Sequence, residues 1–147
     1  MRQRVVAIAL KIPDNAAYTA LTALRRLGVA VESLERNEIW ELEDAGEPAT
    51  LADRVCANPG IFNPNKHRLE VLDRKTPRPG ETWIDEAGSH DEIREHLGGS
   101  RIAGVRRARR AVGWRLRGPG GEPVKRQTLV AAVESLLCNP AIEKARF

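Results

Sequence analysis

The chain has 147 residues, of which 41% are hydrophobic and 30% charged, and its formal net charge at pH 7 is +4. This length allows one domain with an apolar core, or two small units that share one. No uncharged apolar run approaches the roughly 18 residues that a membrane span needs, and two cysteines are too few for a disulfide framework. A cytoplasmic globular protein is therefore expected.

The first predicted elements are a strand, a helix and a long strand. Residues 3–12 contain a β-branched apolar run, which favours a strand that is buried on both faces. Asp14 or Asn15 can cap a helix, apolar residues follow at helical spacing and Gly28 supplies a left-handed stop, so a helix is predicted over residues 15–27. The alternation over residues 29–43 predicts a long strand that is bent or bulged.

A short helix and a strand complete the first half of the chain. Pro48 is typical of a helix start, and the helix must end before Asn58-Pro59. Residues 67–72 predict a strand with Leu69 and Val71 directed inward. The predicted order of this half is therefore β-α-β-α-β.

A linker and a second, weaker set of elements follow. Residues 74–82 have the Pro, Gly and charge content of a linker, at the end of which residues 81–84 predict a short strand. Ser89 is a suitable cap for a helix that Gly98-Gly99 ends. Residues 124–137 carry a strong apolar face at helical spacing and predict the longest helix of this half.

An internal repeat connects the two halves. The recurring segments, in the same order in each half, are Gly28-Val29 with Gly104-Val105, Trp40-x-Leu42 with Trp114-x-Leu116, Gly46-Glu47-Pro48 with Gly121-Glu122-Pro123, and Cys56-Ala57-Asn58-Pro59 with Cys138-Asn139-Pro140. A duplication explains this order, with one repeat at residues 1–73 and a degenerate second repeat at residues 83–147. The predicted fold class is α+β: two repeats of ferredoxin-like outline (β-α-β-β-α-β), packed as a pseudo-dimer with helices against antiparallel sheet.

Basic residues are concentrated in the second half. Residues 1–73 carry 9 basic and 11 acidic side chains, whereas residues 74–147 carry 15 and 9. Much of the excess lies in Arg101–Arg117, where six of the arginines follow one another without an acidic residue between them. This stretch would suit nucleic acid, but Trp114 is its one aromatic residue, which gives little support for stacking on single strands. A solvated or partner-facing sheet surface is the favoured interpretation.

Catalytic and metal sites find little support in the sequence. The three histidines show no metal-ligand spacing, and Cys56 and Cys138 are expected to be reduced and buried. A general acid/base pair among Glu35, Glu38, Glu41 and Glu43 is conceivable, but alternating charges usually mark the solvated face of a strand. We therefore predict no catalytic, cofactor-binding or metal-binding residues.

Several segments of the first half resemble a known family. They are Ala7 to Lys11, Ala23 to Gly28, Glu41-Leu42-Glu43, Ala52-Asp53-Arg54 with Ala57-Asn58-Pro59, and Arg68-Leu69-Glu70-Val71. Together they resemble the PurS small subunit of bacterial phosphoribosylformylglycinamidine synthase, here in a tandemly duplicated form. The family commonly has Arg-x-Gly-Lys on its long strand, where this chain has Glu35-Arg36-Asn37-Glu38, and Arg109 alone restores an arginine at the corresponding place of the second repeat.

The resemblance implies a non-catalytic subunit of purine biosynthesis without a cofactor of its own. Its expected partners are the ATP-dependent synthase (PurL-type) and the glutaminase (PurQ-type) subunits, with homo-oligomers as a further possibility. The residues expected at an interface are Trp40, Trp114, Arg36, Arg107 and Arg109. Two alternatives stay open: a nucleic-acid-binding protein that uses Arg101–Arg117, and a regulatory domain that senses a small molecule.

Overall fold

The computed structural model describes residues 2–86 and 101–147 of the chain. The elements within these residues are the strands β1 (Arg2–Leu10), β2 (Ser33–Asp44), β3 (His67–Leu72), β4 (Glu81–Glu86), β5 (Val105–Arg117) and β6 (Glu143–Arg146), and the helices α1 (Asn15–Arg26), α2 (Leu51–Cys56) and α3 (Arg126–Ala132). One six-stranded sheet has the order β3-β1-β2-β5-β4-β6. The pairings β1–β3, β4–β5 and β4–β6 are antiparallel. The prediction of an α+β protein with an antiparallel sheet is confirmed.

Most element boundaries agree with the sequence-based predictions to within a few residues. The helix predicted around Ser89 lies outside the described residues. The helix predicted over residues 124–137 is divided, because α3 ends at Ala132 and a wider π-helical turn continues over Val133–Leu137. The amide of Cys138 closes that turn on the carbonyl of Val133, at 3.3 Å. None of the described helices is long and apolar enough to cross a membrane.

The chain divides into two compact units, and each unit takes segments from both halves of the sequence. Unit 1 consists of Met1–Ile12, Glu38–Lys75 and Gly88–Arg110. Unit 2 consists of Pro13–Asn37, Thr76–Ala87 and Ala111–Phe147. These spatial units therefore differ from the predicted repeats at residues 1–73 and 83–147, and α1, from the first half, belongs to unit 2. The repeats themselves stay a prediction about the sequence.

Unit 1 has an apolar core between one face of its strands and α2. The buried members of this core are Val6, Ile8, Trp40, Leu42, Leu51, Val55, Ile61, Ile102, Val105 and Ala108. Leu69, opposite Ile8 in the β1–β3 register, is partly buried against them. Val71 is predicted to point inward as well, but its side chain is 41% exposed because β3 lies at the edge of the sheet. Its neighbour Leu72 is buried.

A polar clamp holds the end of β2 to α2 in unit 1. Arg54 of α2 donates to Thr50 Oγ1, to the carbonyl of Glu47 and to the carbonyl of Ala103, at 2.9, 2.8 and 2.6 Å. Its other acceptor is Asp44, whose side chain is fully buried at the end of β2. A guanidinium in which every N–H finds an acceptor makes the burial of its carboxylate partner tolerable.

Unit 2 has a second apolar core, to which α1 and the α3 region contribute. Of the two predicted caps, Asp14 is the one that caps α1: its carboxylate accepts hydrogen bonds from the amides of Ala16 and Ala17. Gly28 follows the helix with φ of 85°, which is the left-handed stop that the sequence predicts. The buried members of the core are Ala20, Leu24, Val29, Val31, Leu116, Leu129, Ala132 and Leu137. Val29 and Val31, predicted as strand, lie ahead of β2, which begins at Ser33.

Two asparagine turns have the same hydrogen bonds in the two halves of the chain. The side chain of Asn58 accepts from the amide two residues later, and that of Asn139 does the same, at 2.9 and 3.1 Å. The main-chain carbonyl of each asparagine also accepts from the amides three and four residues later. Each turn is followed by the last strand of its half, β3 or β6. The repeated Asn-Pro-x-Ile sequence therefore forms the same local structure twice.

Candidate interaction surface

A groove of about 350 Å3 lies on unit 1, on the face of the strands that is opposite the core. Its lining residues, which come from β1, β2 and β5, are Gln3, Glu41, Leu42, Glu43, Arg107, Ala108 and Arg109. Leu42 and Ala108 belong to the core of unit 1, so the strand neighbours of each point to the other face. The polar side chains of this unit 1 groove are thus positioned by the alternation of β2 and β5.

Opposite charges meet along β2 and β5. β2 carries five acidic residues and one arginine, whereas β5 carries six arginines and no acidic residue. In unit 1 the nearest Glu38 carboxylate oxygen lies 3.7 Å from Arg110 Nη1, and Gln3 Nε2 donates to Glu41 Oε2 at 3.3 Å. The half-exposed Glu38–Arg110 pair contributes about 0 to 1 kcal/mol, but complementary rows of charge favour one strand partner over others. Carboxylates therefore oppose the arginines of β5 within this unit.

Unit 2 contains a second arginine cluster around Glu81, at the beginning of β4. Arg78 contacts both carboxylate oxygens of Glu81, with Nε at 3.0 Å from one and Nη2 at 2.8 Å from the other. Arg115 lies directly opposite Glu81 in the β4–β5 register. Burial lowers the pKa of the Arg115 guanidinium, and the positive charges of Arg78 and Arg117 lower it further. Arginine outnumbers carboxylate in this cluster.

The buried Trp83 lies on the same face of β4 as Glu81. Trp83 is fully buried, and the guanidinium carbon of Arg146 lies 5.3 Å from the centre of one of its rings. Arg146 also forms two hydrogen bonds to Asp85, at 2.6 and 2.8 Å. Gly113 is the register partner of Trp83 on β5, and its lack of a side chain leaves room for the indole. This cluster joins β4, β5 and β6.

The five residues predicted at an interface occupy different environments. Arg107 and Arg109 line the unit 1 groove. Arg36 lies in unit 2 and pairs with Asp14 at 3.5 Å, with its side chain 39% exposed. Trp114 is partly buried against the core of unit 2, and Trp40, 2% exposed, lies inside the core of unit 1. Trp40 therefore affects a surface only by holding its strand in place.

Sequence reasoning missed Gln3 as a groove residue, and it missed the Trp83 and Arg146 cluster. Gln3 precedes the apolar run of β1 and carries no motif. The alternation of Glu81, Trp83 and Asp85 along β4 is a usable signal that these three side chains share one face. Their partner Arg146 lies about sixty residues further along the chain. Local periodicity cannot indicate a contact between residues so far apart in sequence.

The cysteines are less buried than the sequence predicts. Cys56 is exposed and Cys138 is half-buried, because each follows the last buried position of its helix. Desolvation raises the pKa of the Cys56 thiol, and the negative charge of Asp53 raises it further. Desolvation and Glu143 raise the pKa of the Cys138 thiol in the same way. Less thiolate is present at neutral pH, so both are weakened as nucleophiles.

Histidine and carboxylate side chains form no metal-binding group in the described part of the chain. His67 accepts a hydrogen bond at Nδ1 from the amide of Asn63, at 2.9 Å, and so stabilises the turn before β3. The other two histidines, His90 and His96, lie outside the described residues.

Comparison with known proteins gives the chain no family. No protein-family model matches it, and no curated protein is significantly similar to it.

Proposed function

We propose that this chain is a non-catalytic assembly subunit of a phosphoribosylformylglycinamidine synthase, and that it acts in the cytoplasm in de novo purine biosynthesis. In this role it holds an ATP-dependent synthase subunit beside the glutaminase that supplies ammonia. The resemblance of residues 1–73 to the PurS small subunit motivates the proposal. The observation that carries it is the strand order of the sheet.

The strand order supports a duplicated PurS-like architecture. From one edge the sheet presents the third, first and second strands of the first half, β3-β1-β2. From the other edge it presents the third, first and second strands of the second half, β6-β4-β5. Such mirrored order is what two copies of one β-α-β-α-β unit produce when they pair through their second strands. The second copy would then replace the dimer partner of a single-unit PurS protein.

Corresponding positions of the two halves support the same interpretation. Gly28 and Gly104 both have left-handed φ angles, of 85° and 82°. Leu42 and Leu116, two residues after the matched tryptophans, are both fully buried in the core of their unit. The turns at Asn58 and Asn139 share their hydrogen bonds. Three kinds of position, a left-handed glycine, a core residue and a turn, thus agree between the proposed copies.

The charges of β2 favour an assembly role over nucleic-acid binding. A nucleic-acid surface needs positive charge that is free to neutralise phosphates. In unit 1, Arg107 and Arg109 share their groove with Glu41 and Glu43, and Arg110 pairs with Glu38. Carboxylates in these positions would repel a phosphate backbone, whereas a protein surface with charges of both signs can match them.

Reconstitution of the amidotransferase tests the proposal. The full chain is mixed with the PurL-type synthase and the PurQ-type glutaminase of the same organism, and product formation is measured with glutamine or with an ammonium salt as nitrogen source. Glutamine-dependent activity should require the chain, since ammonia must pass between subunits that it holds together. Ammonium-dependent activity should not require it. Equal glutamine-dependent activity with and without the chain overturns the proposal.

A charge-reversed pair of variants locates the docking surface. Arg107→Glu changes the unit 1 groove, whereas Arg106→Glu changes an exposed arginine of the same strand outside that groove. We expect R107E to weaken complex formation about tenfold or more and R106E to leave it near the wild-type value. Wild-type affinity in R107E would exclude the groove as the docking surface without affecting the reconstitution test.

A further inference from the structure

The outer edge of β3 presents backbone groups that no described strand pairs. β3 is the first strand in the order of the sheet, and β1 is its neighbour on the inner side. The amide of Lys11 donates to the carbonyl of Lys66 at 2.7 Å, and this pair continues the β1–β3 register. In an antiparallel ladder every second residue bonds to the inner neighbour. Residues 68, 70 and 72 therefore bond to β1, and residues 67, 69 and 71 direct their N–H and C=O groups outward.

The outward groups have a two-fold centre at Leu69. When a second β3 lies antiparallel with Leu69 opposite Leu69, each of these residues faces its counterpart in a hydrogen-bonded position. The amide of Val71 then reaches the carbonyl of His67 in the other copy. The amide of His67 already donates to the carbonyl of Asn63, at 2.8 Å, so this register makes four backbone hydrogen bonds.

The side chains of β3 match the same two-fold register. Arg68 and Glu70 flank Leu69, so the two-fold operation places each Arg68 opposite a Glu70 of the other copy. These pairs occupy non-hydrogen-bonded positions, where the side chains of opposite residues approach most closely. Both residues are exposed, on the face opposite the core of unit 1. A shift of the register by two residues would lose both pairings and would place Arg68 opposite Arg68 or Glu70 opposite Glu70, so the charges favour the alignment about Leu69.

We propose that β3 pairs with β3 of a second copy of this chain, antiparallel about Leu69, to form a symmetric dimer with one continuous sheet. The interface is isologous, because the same six residues contribute from both sides. A pair of six-residue strands buries less than the roughly 1,200 Å2 of a standard stable complex, so the association is weak and depends on protein concentration. The proposal is independent of the synthase role.

Light scattering coupled to size-exclusion chromatography tests it on the full chain. The wild type should run as a monomer at about 1 μM and as a dimer at about 100 μM, as expected for a small interface. Arg68→Glu and Glu70→Arg each place like charges opposite one another in both pairings and should weaken dimerisation about tenfold or more. Thermal unfolding of each variant establishes that the monomer is folded.

The mixture of the two single variants is the decisive sample. R68E carries carboxylates at both positions and E70R carries guanidinium groups at both, so the mixed dimer regains two complementary pairs. The double variant R68E/E70R should dimerise with itself for the same reason. Arg106→Glu, an exposed reversal elsewhere in unit 1, should dimerise like the wild type. A monomeric wild type at about 100 μM, single variants that dimerise normally, or a mixture that fails to associate each overturn the proposal.

Discussion

Arg54 donates through its two terminal nitrogens to the two carboxylate oxygens of Asp44, at 2.8 and 2.9 Å. The amide of Gly46 donates to the same carboxylate at 2.9 Å, and Arg4 Nε lies 3.6 Å from it. The pair joins the end of β2 to α2, and through the carbonyl of Ala103 it also holds the segment that leads into β5. One ion pair thereby fixes three separate stretches of unit 1.

Removing the arginine should leave a buried charge without its partner. We expect Arg54→Ala to lower the free energy of unfolding by about 3 kcal/mol, the usual result of breaking one side of a buried pair. Urea unfolding followed by circular dichroism measures the change. Arg26→Ala, in the exposed last turn of α1, is the control and should change stability by less than about 0.5 kcal/mol. Equal stabilities of the two variants would contradict the role of the pair.

The same pair predicts how stability depends on pH. The hydrogen bond from Arg54 is the largest cause that lowers the pKa of Asp44 below its ordinary value of 3.8. A carboxyl group whose pKa is lower in the folded state stabilises the fold above the unfolded pKa, and that contribution is lost as the pH falls through 3.8 towards the folded pKa. Stability should therefore rise with pH in this window, and Asp44→Asn should flatten the rise. Unfolding curves from about pH 2 to 5 compare the two proteins, and parallel pH profiles would refute the assignment.

Gly104 lies against the clamp and should tolerate no side chain. Its φ is +82°, and an added Cβ would lie 2.9 Å from Arg54 Nη1 and 3.2 Å from Asp44 Oδ1. Gly120 is the control: its φ is similar, at +78°, but a Cβ added there would have no atom within 4 Å. Gly120→Ala therefore measures the backbone strain alone, which we expect to be about 1 to 2 kcal/mol. Gly104→Ala should cost roughly 1 kcal/mol or more beyond that, because it displaces the clamp as well. Equal melting temperatures for the two variants would show that the clamp yields without cost.

Separating the two halves of the chain should leave neither half folded as a monomer. α1 belongs to unit 2 and is encoded in the first half, so a fragment that ends in the 74–82 segment lacks the rest of that unit. We expect each half alone to show little tertiary structure, and the two halves to fold when they are produced together. Proton NMR dispersion of each fragment, alone and mixed, provides the measurement. A monomeric half with a cooperative unfolding transition would instead support domains that coincide with the repeats.

The elements that could be predicted are those whose pattern is local. The residues over 15–27 carry a cap, a helical apolar face and a glycine stop, and α1 forms within one residue of the prediction. The strand β1 follows equally from its unbroken apolar run. By contrast, the alternation of Val29 and Val31 continues into β2 although both lie outside it. Their burial in the core of unit 2 produces the same pattern without a strand, so periodicity alone does not mark where β2 begins.

The candidate surface could be predicted only in part because its partners are distant in sequence. Alternation indicates that Arg107 and Arg109 share a face, and the structure places them in one groove. That Glu41 and Glu43 line the same groove depends on β2 and β5 being neighbours in the sheet. The sequence does show that β2 is rich in acidic residues and that β5 is rich in arginine. It does not show that the two strands are neighbours, so their complementary charges become evident only once the strand order is known.

The boundaries of the two units fall inside β2, between Asn37 and Glu38, and inside β5, between Arg110 and Ala111. An ordinary two-domain protein changes domain in a loop, which acts as a hinge and lets one domain melt while the other persists. In this chain, both boundaries between the units lie within β-strands. Amide protons near the middle of β2 and β5 should accordingly exchange more slowly than those of the exposed turns, and hydrogen exchange followed by NMR measures the difference.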